Sequence, residues 1–561
     1  MCALFLVVSS FLIGQFCFSQ EIQQNVSIRV NFDQPDGTIS PIWSFFGYDE
    51  PNYTYAPNGI DLLGELAALD SAPVYVRVHN LLTTGDGSAS LKWGSTNVYT
   101  EDESGHPVYN WVILDQIFDT FHAAGIRPLV EIGFMPEALS THPEPYRHEF
   151  PKVPVAAIYT GWAYPPKDYS KWSELVFQFV HHLHQRYGDA EVKTWLWEVW
   201  NEPDIAYWKG TRDEYFKLYD FTVEAVLRAL PEARIGGPDT TGPANPNAAD
   251  FLRAFLDHCA HQKNYANGRV GSRLDFISFH PKGSPTWQGD HVRMGINRQL
   301  LAIEQGFKIT ASFQEWRQTP IILGESDPEG CAACSAKDNP QNLYRNGALY
   351  GAYTVEVLNN ILALARQEHI NFLGAVTWAF EFEGQPYFAG FRDLATNGVD
   401  KPVLNAFRML GLLGNERLRV ISSGALPSSE IVSAGVRGQP DVNAIATHKG
   451  REVEILVWNY HDDDLTYPAA SIDLVVAGLP ADAKRGLLEH FRVDFDHSNA
   501  FTVWKEMGSP QSPSELEYSR LKNAGQLQLL SSPVWIDMRQ GSAELHFTLP
   551  RQGLSLVRLA W

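Results

Sequence analysis

The feature that most constrains the fold is the run of residues 195–204, an apolar and aromatic stretch that ends abruptly in Asn-Glu-Pro-Asp. Apolar side chains occupy both alternating sets of positions, as in a strand that is covered on both faces. Pro203 has no backbone N–H, so strand pairing ends there. The run therefore predicts a buried strand that presents Glu202 at its carboxyl end, with a solvated loop carboxylate as the alternative.

Strand-like and helix-like segments alternate along residues 41–413. The spacing of Trp172, Leu175 and Val176 is typical of an amphipathic helix, and Thr211 and Glu214 have the spacing of a helix capping box. Eight strand–helix units predict an α/β fold, a (β/α)8 TIM barrel, whose functional residues lie at the carboxyl ends of the strands. A doubly wound open sheet is the alternative, and it is disfavoured because no glycine-rich phosphate loop follows a strand. The predicted barrel strands are 42–48, 74–81, 127–134, 194–200, 234–238, 275–280, 320–325 and 374–380.

The pattern changes near Gly414 to short alternating strands separated by turns. Such strands predict an accessory C-terminal β-sandwich over residues 414–561. An early strand at 26–32, followed by a turn at 34–37, has no helix of its own, so residues 20–40 are expected to pair into this domain. The strands predicted for the sandwich are 445–447, 452–460, 472–476, 543–549 and 555–560.

Residues 2–18 are almost entirely apolar, and Cys17 and Ser19 are small enough to precede a cleavage site. This pattern predicts a secretory signal peptide over residues 1–19 and a secreted or periplasmic protein. A retained anchor is the alternative, since the segment before the apolar run lacks Lys and Arg. No later stretch has the roughly 20 apolar residues that a membrane span requires.

The chain carries 44 basic and 65 acidic residues, for a net charge of −21. Such a surface repels nucleic acid and anionic membranes, so neither is an expected partner. Cys331 and Cys334 are separated by two alanines, a spacing compatible with a local disulfide, two free thiols or half of a metal site. No second ligand pair at zinc spacing accompanies them, so we expect no metal and no cofactor.

Two glutamates follow strands on opposite sides of the predicted barrel mouth, Glu202 after strand four and Glu325 after strand seven. A pair of facing carboxyl groups is what cleavage of a glycosidic bond needs, because one protonates the departing oxygen while the other meets the oxocarbenium-like carbon. A separation of about 5–5.5 Å gives retention of configuration, and about 6.5–9.5 Å gives inversion. The sequence does not fix that separation.

Four segments occur in order along the chain: WEVWNEPD at 197–204, LDFISFHPKG at 274–283, PIILGESDP at 320–328 and KPV at 401–403. Together they resemble glycoside hydrolase family 39. That family holds β-xylosidases and lysosomal α-L-iduronidases, and some members act on uronate-rich algal polysaccharides. The likeness covers roughly residues 40–415. Asn-Glu-Pro alone would indicate only the wider clan of retaining barrel glycosidases.

The resemblance implies that Glu202 is the general acid/base, Glu325 the nucleophile and Asn201 a hydrogen-bond partner of the sugar 2-hydroxyl. His-x-Lys-Gly and Asp-Pro look like the iduronidase branch, in which the lysine meets a substrate carboxylate. The loop at 329–335 differs from both named branches. The other implied substrate contacts are His79 and His280 lining the subsite, Lys282 with Asp327 near the sugar carboxylate, Trp378 as a sugar platform and Arg392 as a second anion contact. The alternatives are structural roles for the histidines, a Lys282–Asp327 ion pair and ordinary barrel core for Trp378.

These observations predict a secreted, retaining glycoside hydrolase, similar to β-xylosidases and α-L-iduronidases, that acts on plant or algal oligosaccharides or polysaccharides and includes uronate-rich chains among its substrates. One alternative is an α-L-rhamnosidase-type hydrolase of an ulvan-like sulfated polysaccharide. Another is a carbohydrate-binding protein without catalysis, which is disfavoured because both glutamates are present. A metal-dependent hydrolase would require a ligand set such as His-x-His after the first strand, and residues 42–48 carry none.

Overall fold

A computed structural model describes residues 24–70 and 72–561. The predicted signal peptide, residues 1–19, lies outside the described residues. The described chain contains a parallel barrel and a second sheet formed mainly by the C-terminal part of the chain.

The predicted (β/α)8 barrel is confirmed. All its neighbouring strands pair in parallel, and the last pairs with the first through Thr377–Trp378 and Phe45–Tyr48. The eighth strand is interrupted at Val376, since Phe372–Ala375 pairs with the seventh strand and Thr377–Trp378 with the first. Barrel strands 1 to 8 are Phe45–Tyr48, Tyr75–Val78, Arg127–Ile132, Leu196–Val199, Arg234–Thr241, Phe276–His280, Ile321–Leu323, and Phe372–Ala375 with Thr377–Trp378.

A helix follows every barrel strand and covers the outside of the barrel. The predicted stripe on the third of these helices is buried, including Trp172, Leu175 and Val176. The predicted capping box of Thr211 and Glu214 begins the fourth. In chain order the helices are Pro57–Ala67, Val112–Ala124, Tyr169–Tyr187, Arg212–Ala229, Pro246–His261, Ile296–Ala311, Ala348–Gln367 and Pro402–Gly411.

The second sheet has ten strands and includes Asn25–Thr38, which pairs with Glu416–Ser422 and Ala470–Ala477. One apolar cluster joins Val26 and Leu474, on neighbouring strands, to Leu559, on a strand four places away from the first in the sheet order, so the sheet folds over its own face as in a β-sandwich. The first strand runs through the turn predicted at 34–37, with register shifts on either side of Pro35 that accommodate the proline. The remaining strands are Asp441–Lys449, Glu452–Tyr460, Arg485–Val493, Gln528–Leu529, Val534–Asp537, Ser542–Leu549 and Leu554–Ala560.

The outer face of this sheet packs on the barrel. Leu456, Trp458 and Leu556 belong to the same apolar cluster as the barrel core. Two further helices, Ala500–Glu506 and Glu515–Gly525, pack against the loop after barrel strand 8 through Trp504 and Phe388. The β-domain thereby supports one loop at the barrel mouth. Helix Ser428–Ala434 completes the domain.

No helix among residues 24–70 and 72–561 combines the length and the apolar character needed to cross a membrane.

A buried pair of carboxyl groups joins the two domains. Glu356, on the helix Ala348–Gln367, forms a side-chain hydrogen bond with Asp441 of the β-domain. Asp441 also accepts from the Trp458 indole at 2.9 Å and from the Leu426 backbone N–H at 2.6 Å. Asp441 is therefore the acceptor of the pair, and Glu356 carries the shared proton.

We expect this pair to make stability depend on pH. Burial and the neighbouring carboxylate raise the pKa of Glu356 well above its usual value, so its stabilising contribution is complete at acidic pH and is lost as the pH rises through the folded-state pKa. Glu356→Gln keeps a hydrogen-bond donor at every pH. Denaturant unfolding between pH 5 and 9 should show a steeper decline in wild type than in the variant, and the difference corresponds to about 1.4 kcal/mol per unit of pKa difference.

The exposed Glu430→Gln variant is the control, and it should follow wild type. Parallel declines in wild type and Glu356→Gln would contradict a proton shared across the interface.

Candidate active site

Glu202 lies immediately beyond barrel strand 4. Trp200 and Glu202 both have positive φ values, 69° and 44°, so the chain turns sharply where the strand ends. The Glu202 backbone N–H donates to the carbonyl of Asp239 on barrel strand 5 at 2.9 Å, which fixes the turn. The Glu202 side chain is 13% exposed and its carboxylate accepts from His280 Nδ1 at 2.9 Å.

Glu325 lies two residues beyond barrel strand 7, across the mouth from Glu202. The glycine before it is required by packing, because a Cβ at Gly324 would lie 2.0 Å from a carboxylate oxygen of Asp239. Oxygen atoms of Glu202 and Glu325 lie within 4.8 Å of each other. That spacing matches the carboxyl pair of a retaining glycosidase and leaves no room for the intervening water of an inverting one.

Four cationic side chains face the Glu325 carboxylate. Lys282 Nζ forms an ion pair with it, and His79 Nε2, Arg77 Nη1 and His280 Nδ1 lie at 3.4, 3.6 and 3.7 Å. Burial alone would raise the pKa of Glu325, but the charges of Lys282 and His280 and the contact with His79 hold it well below its usual range. Glu325 is therefore ionised at neutral pH, as a nucleophilic carboxylate must be.

Arg77, on barrel strand 2, is the fully buried cation beneath the site. It donates to Glu198 at 2.6 Å and contacts Glu131 at 2.8 Å, and it also forms an ion pair with Asp239. Its Nη2 donates to Asn201 Oδ1 at 3.1 Å, which orients the amide directly before Glu202. One guanidinium thus connects barrel strands 2, 3, 4 and 5 below both carboxylates.

Both nitrogens of His280 have acidic partners, Glu202 on one side and Asp239 Oδ2 at 2.6 Å on the other. Burial would lower the pKa of His280, but the charges of Asp239 and Glu325 raise it to about 10, so the ring is an imidazolium. Within residues 24–70 and 72–561, Glu202, His280 and Glu325 form the only group dense enough in ligand atoms for a metal ion. Because both ring nitrogens of His280 already face carboxylates, the arrangement fits acid–base chemistry.

Lys282 and Asp327 lie together at the edge of the site. Lys282 Nζ contacts Asp327 Oδ2 at 2.7 Å as well as Glu325, and its side chain is 17% exposed. Asp327 is fully buried and accepts from the Trp378 backbone N–H at 2.9 Å. Asp327 therefore holds the Lys282 ammonium group in position from inside the protein and does not itself face the cavity.

Two predicted substrate contacts are placed differently from the expectation. Trp378 is 1% exposed: its ring packs between Arg77 and His79, and its indole N–H donates to Asp49 at 3.1 Å. Arg392 is fully buried and contacts Asp327 at 3.3 Å and Glu329 at 2.6 Å. Neither side chain is open to the cavity, because the first belongs to the upper core layer of the barrel and the second is enclosed by carboxylates.

A cavity of about 450 Å³ opens above Glu202, Glu325 and Lys282. Sequence reasoning missed Asp49, Lys92 and Tyr207 in its wall, which come from loops after barrel strands 1, 2 and 4. Glu131 and Glu198 were also missed, although a charged residue inside an apolar strand indicates a buried partner.

Cys331 and Cys334 line the cavity and form a disulfide, which settles the alternatives that the sequence left open. Cys259, the other cysteine in the described residues, is free and buried.

An eight-stranded barrel with two facing carboxylates at its mouth defines a glycoside hydrolase. The family model for glycosyl hydrolases family 39 matches residues 28–533, so the chain belongs to that family and is a glycosidase.

Individual relatives agree with this assignment. A β-xylosidase of Geobacillus stearothermophilus is 27% identical over 465 residues, covering 80% of this chain and 79% of its own. The α-L-iduronidase of Mus musculus is 24% identical over 569 residues, covering 95% of this chain and 80% of its own. A solved structure described as the bacterial orthologue of human α-L-iduronidase superposes with a TM-score of 0.75 at 18% identity, covering 96% of this chain and 84% of its own, which supports the fold.

Replacing Lys282 should change the pH dependence of the reaction. Lys282→Gln removes the nearest positive charge from Glu325 and raises the pKa of that carboxyl, so more of it is protonated at low pH. The acidic limb of kcat/KM should move to higher pH, by about 1–3 units, the usual effect of one close opposite charge. Lys308→Gln, on the exterior helix Ile296–Ala311, is the control. An unchanged acidic limb would show that Lys282 does not set the ionisation of Glu325.

Proposed function

We propose that this chain cleaves a glycosidic bond by double displacement, with Glu202 as general acid/base and Glu325 as nucleophile, on oligosaccharides of the β-xyloside or α-L-iduronide type. The observation that carries the proposal is the separation of the two carboxylates, whose oxygens lie within 4.8 Å. Four cationic side chains face Glu325, which favours the ionised form that a nucleophile needs, and one of them, His280, also contacts Glu202.

In the first step the Glu325 carboxylate attacks the anomeric carbon as the bond from that carbon to the leaving oxygen breaks. Glu202 transfers its proton to that oxygen, so the leaving group departs as a neutral alcohol and the sugar remains bound to Glu325 as an ester. The imidazolium of His280 lies 2.9 Å from Glu202 and stabilises the carboxylate that this transfer creates.

In the second step Glu202 accepts a proton from water, whose oxygen attacks the anomeric carbon and releases Glu325. Two inversions at that carbon give net retention of configuration. Asn201 is held by Arg77 through its carbonyl oxygen, so its NH₂ group is the part available to a sugar hydroxyl.

The glycone is proposed to include sugars that carry a carboxylate. Lys282 supports this, because it is the cation beside the nucleophile that both lines the cavity and is partly exposed. Its charge is shared with Glu325 and Asp327, so a uronate would add a third carboxylate to one ammonium group. Recognition of such a sugar then depends on the direction of the remaining Lys282 N–H donor more than on net positive charge.

The roles of the two glutamates can be separated with a panel of aryl β-xylosides and aryl α-L-iduronides. Glu325→Ala should lower kcat on every substrate by at least about 10⁴-fold, because no ester can form. Glu202→Ala should largely spare formation of the ester from dinitrophenyl glycosides, whose leaving group needs no proton, and greatly slow substrates with alkoxide leaving groups. Azide, a nucleophile that needs no general base, should restore turnover of dinitrophenyl glycosides by Glu202→Ala.

Glu304→Ala, on an exterior helix, is the matched control and should behave as wild type. Equal losses by Glu202→Ala on activated and unactivated substrates, without azide rescue, would contradict the acid/base role. The aryl glycoside that wild type hydrolyses identifies the glycone.

We further propose that the protein is exported and that residues 1–19 are removed. The Cys331–Cys334 disulfide supports this, since such bonds persist mainly in oxidising compartments. N-terminal sequencing of protein recovered from the medium or periplasm of expressing cells should begin at Gln20. Protein that stays with the cells and keeps residues 1–19 would contradict export.

A further inference from the structure

A second cavity, of about 1040 Å³, adjoins the cavity above the catalytic carboxylates. The two share Val155, Cys334 and Asn339 in their walls, so they meet at the disulfide loop. We call the larger one the outer chamber. Loops after barrel strands 1, 2, 3, 7 and 8 form it, and no residue of the loops after strands 4, 5 and 6 lines it.

The position of Glu202 indicates which part of the substrate the outer chamber faces. A general acid must lie within hydrogen-bonding reach of the oxygen that it protonates, so the leaving group is next to Glu202 and the loop that follows it. Ile205 and Tyr207 from that loop line the catalytic cavity but not the outer chamber. The outer chamber is therefore on the side toward which the rest of the bound sugar extends, away from the bond that breaks.

The walls of the outer chamber suit a sugar residue. Phe150 and Leu91 supply apolar surface, while Ser335, Lys337 and Glu383 supply hydrogen-bonding groups. Pyranose rings present both apolar C–H faces and hydroxyl edges, so a mixed wall matches them. The chamber is more than twice as large as the catalytic cavity, about 1040 against 450 Å³.

The wall between the two cavities is held in place from behind. The buried guanidinium of Arg345 donates to the carbonyls of Cys331 and Cys334, each at 2.8 Å, and to that of Gly390 at 3.0 Å. Arg345 also forms a 2.5 Å ion pair with Glu329, which lines the catalytic cavity. The loop that separates the two cavities at Cys334 is therefore held in a fixed position by a buried side chain.

We propose that the outer chamber binds a second sugar residue on the non-reducing side of the cleaved bond, so that the enzyme releases a disaccharide or longer fragment instead of only a terminal monosaccharide. The inference rests on the proposed function, because it takes the direction of the substrate from the acid role of Glu202.

The test compares 4-nitrophenyl β-xyloside with 4-nitrophenyl β-xylobioside as substrates for wild type. The xylobioside should have a kcat/KM at least about tenfold higher, and chromatography should show xylobiose as the first sugar released. Ala89→Trp places a large side chain at the exposed rim of the outer chamber and should lower the ratio of the two kcat/KM values toward one. Ser88→Trp, at an exposed neighbour outside the chamber wall, is the matched control and should keep the wild-type ratio.

If Ala89→Trp does not fold, Lys337→Trp places the large side chain at another exposed position of the chamber wall, in the loop after barrel strand 7. Release of xylose before xylobiose, or a ratio at or below one in wild type, would overturn the inference and leave the proposed function standing. A wild-type ratio that neither tryptophan alters would overturn it too. Where wild type hydrolyses aryl α-L-iduronides instead of xylosides, the same comparison and variants apply to the 4-nitrophenyl α-L-iduronide and the 4-nitrophenyl glycoside of a disaccharide that ends in it. Turnover of neither class would contradict the proposed function and this inference with it.

Discussion

The structure depends on the buried guanidinium of Arg77, which lies among carboxylates from three other barrel strands. Glu131, Glu198 and Asp239 could not be buried together without a cation. Removing unpaired carboxylates from water is unfavourable by far more free energy than their packing contacts recover. Burial and the charge of Asp239 raise the pKa of Glu198 to about 8 even with Arg77 beside it, so the network holds a proton at neutral pH. Arg77 thereby fixes the strand ends from which the functional side chains project.

That buried network gives Glu202 and Glu325 different surroundings. Asp239 takes a position that only glycine at 324 permits, and from there it contacts His280, which in turn donates to Glu202. Glu325 instead faces the cations themselves. The charges that keep Glu325 ionised come from barrel strands 2 and 6 and their ends rather than from its own neighbours in sequence.

The barrel and its two glutamates were predictable because a buried strand that stops at a polar residue leaves a strong local pattern, as at residues 195–204. The orientation of Trp378 could not be predicted from the sequence. The eighth strand is interrupted at Val376, and the alternation of apolar residues does not show where such an interruption falls. Arg392 was misplaced for a related reason: its partners Asp327 and Glu329 come from another loop. Strand Glu416–Ser422 was missed because exposed charged residues break its alternating pattern. Asp49 and Lys92 were missed because they lie on separate loops that come together only in the folded protein.

Charge balance constrains what such a site can recognise. Lys92 is paired with Asp49, Lys282 with Glu325 and Asp327, and Arg392 with Asp327 and Glu329, so the cations around the cavity are already compensated. The protein as a whole carries a net charge of −21. An anionic sugar would therefore gain no long-range attraction, and its affinity would have to come from short contacts made after the chain has entered the cleft. A long cleft that holds more than one sugar residue supplies such contacts, which connects the outer chamber to the recognition of charged chains.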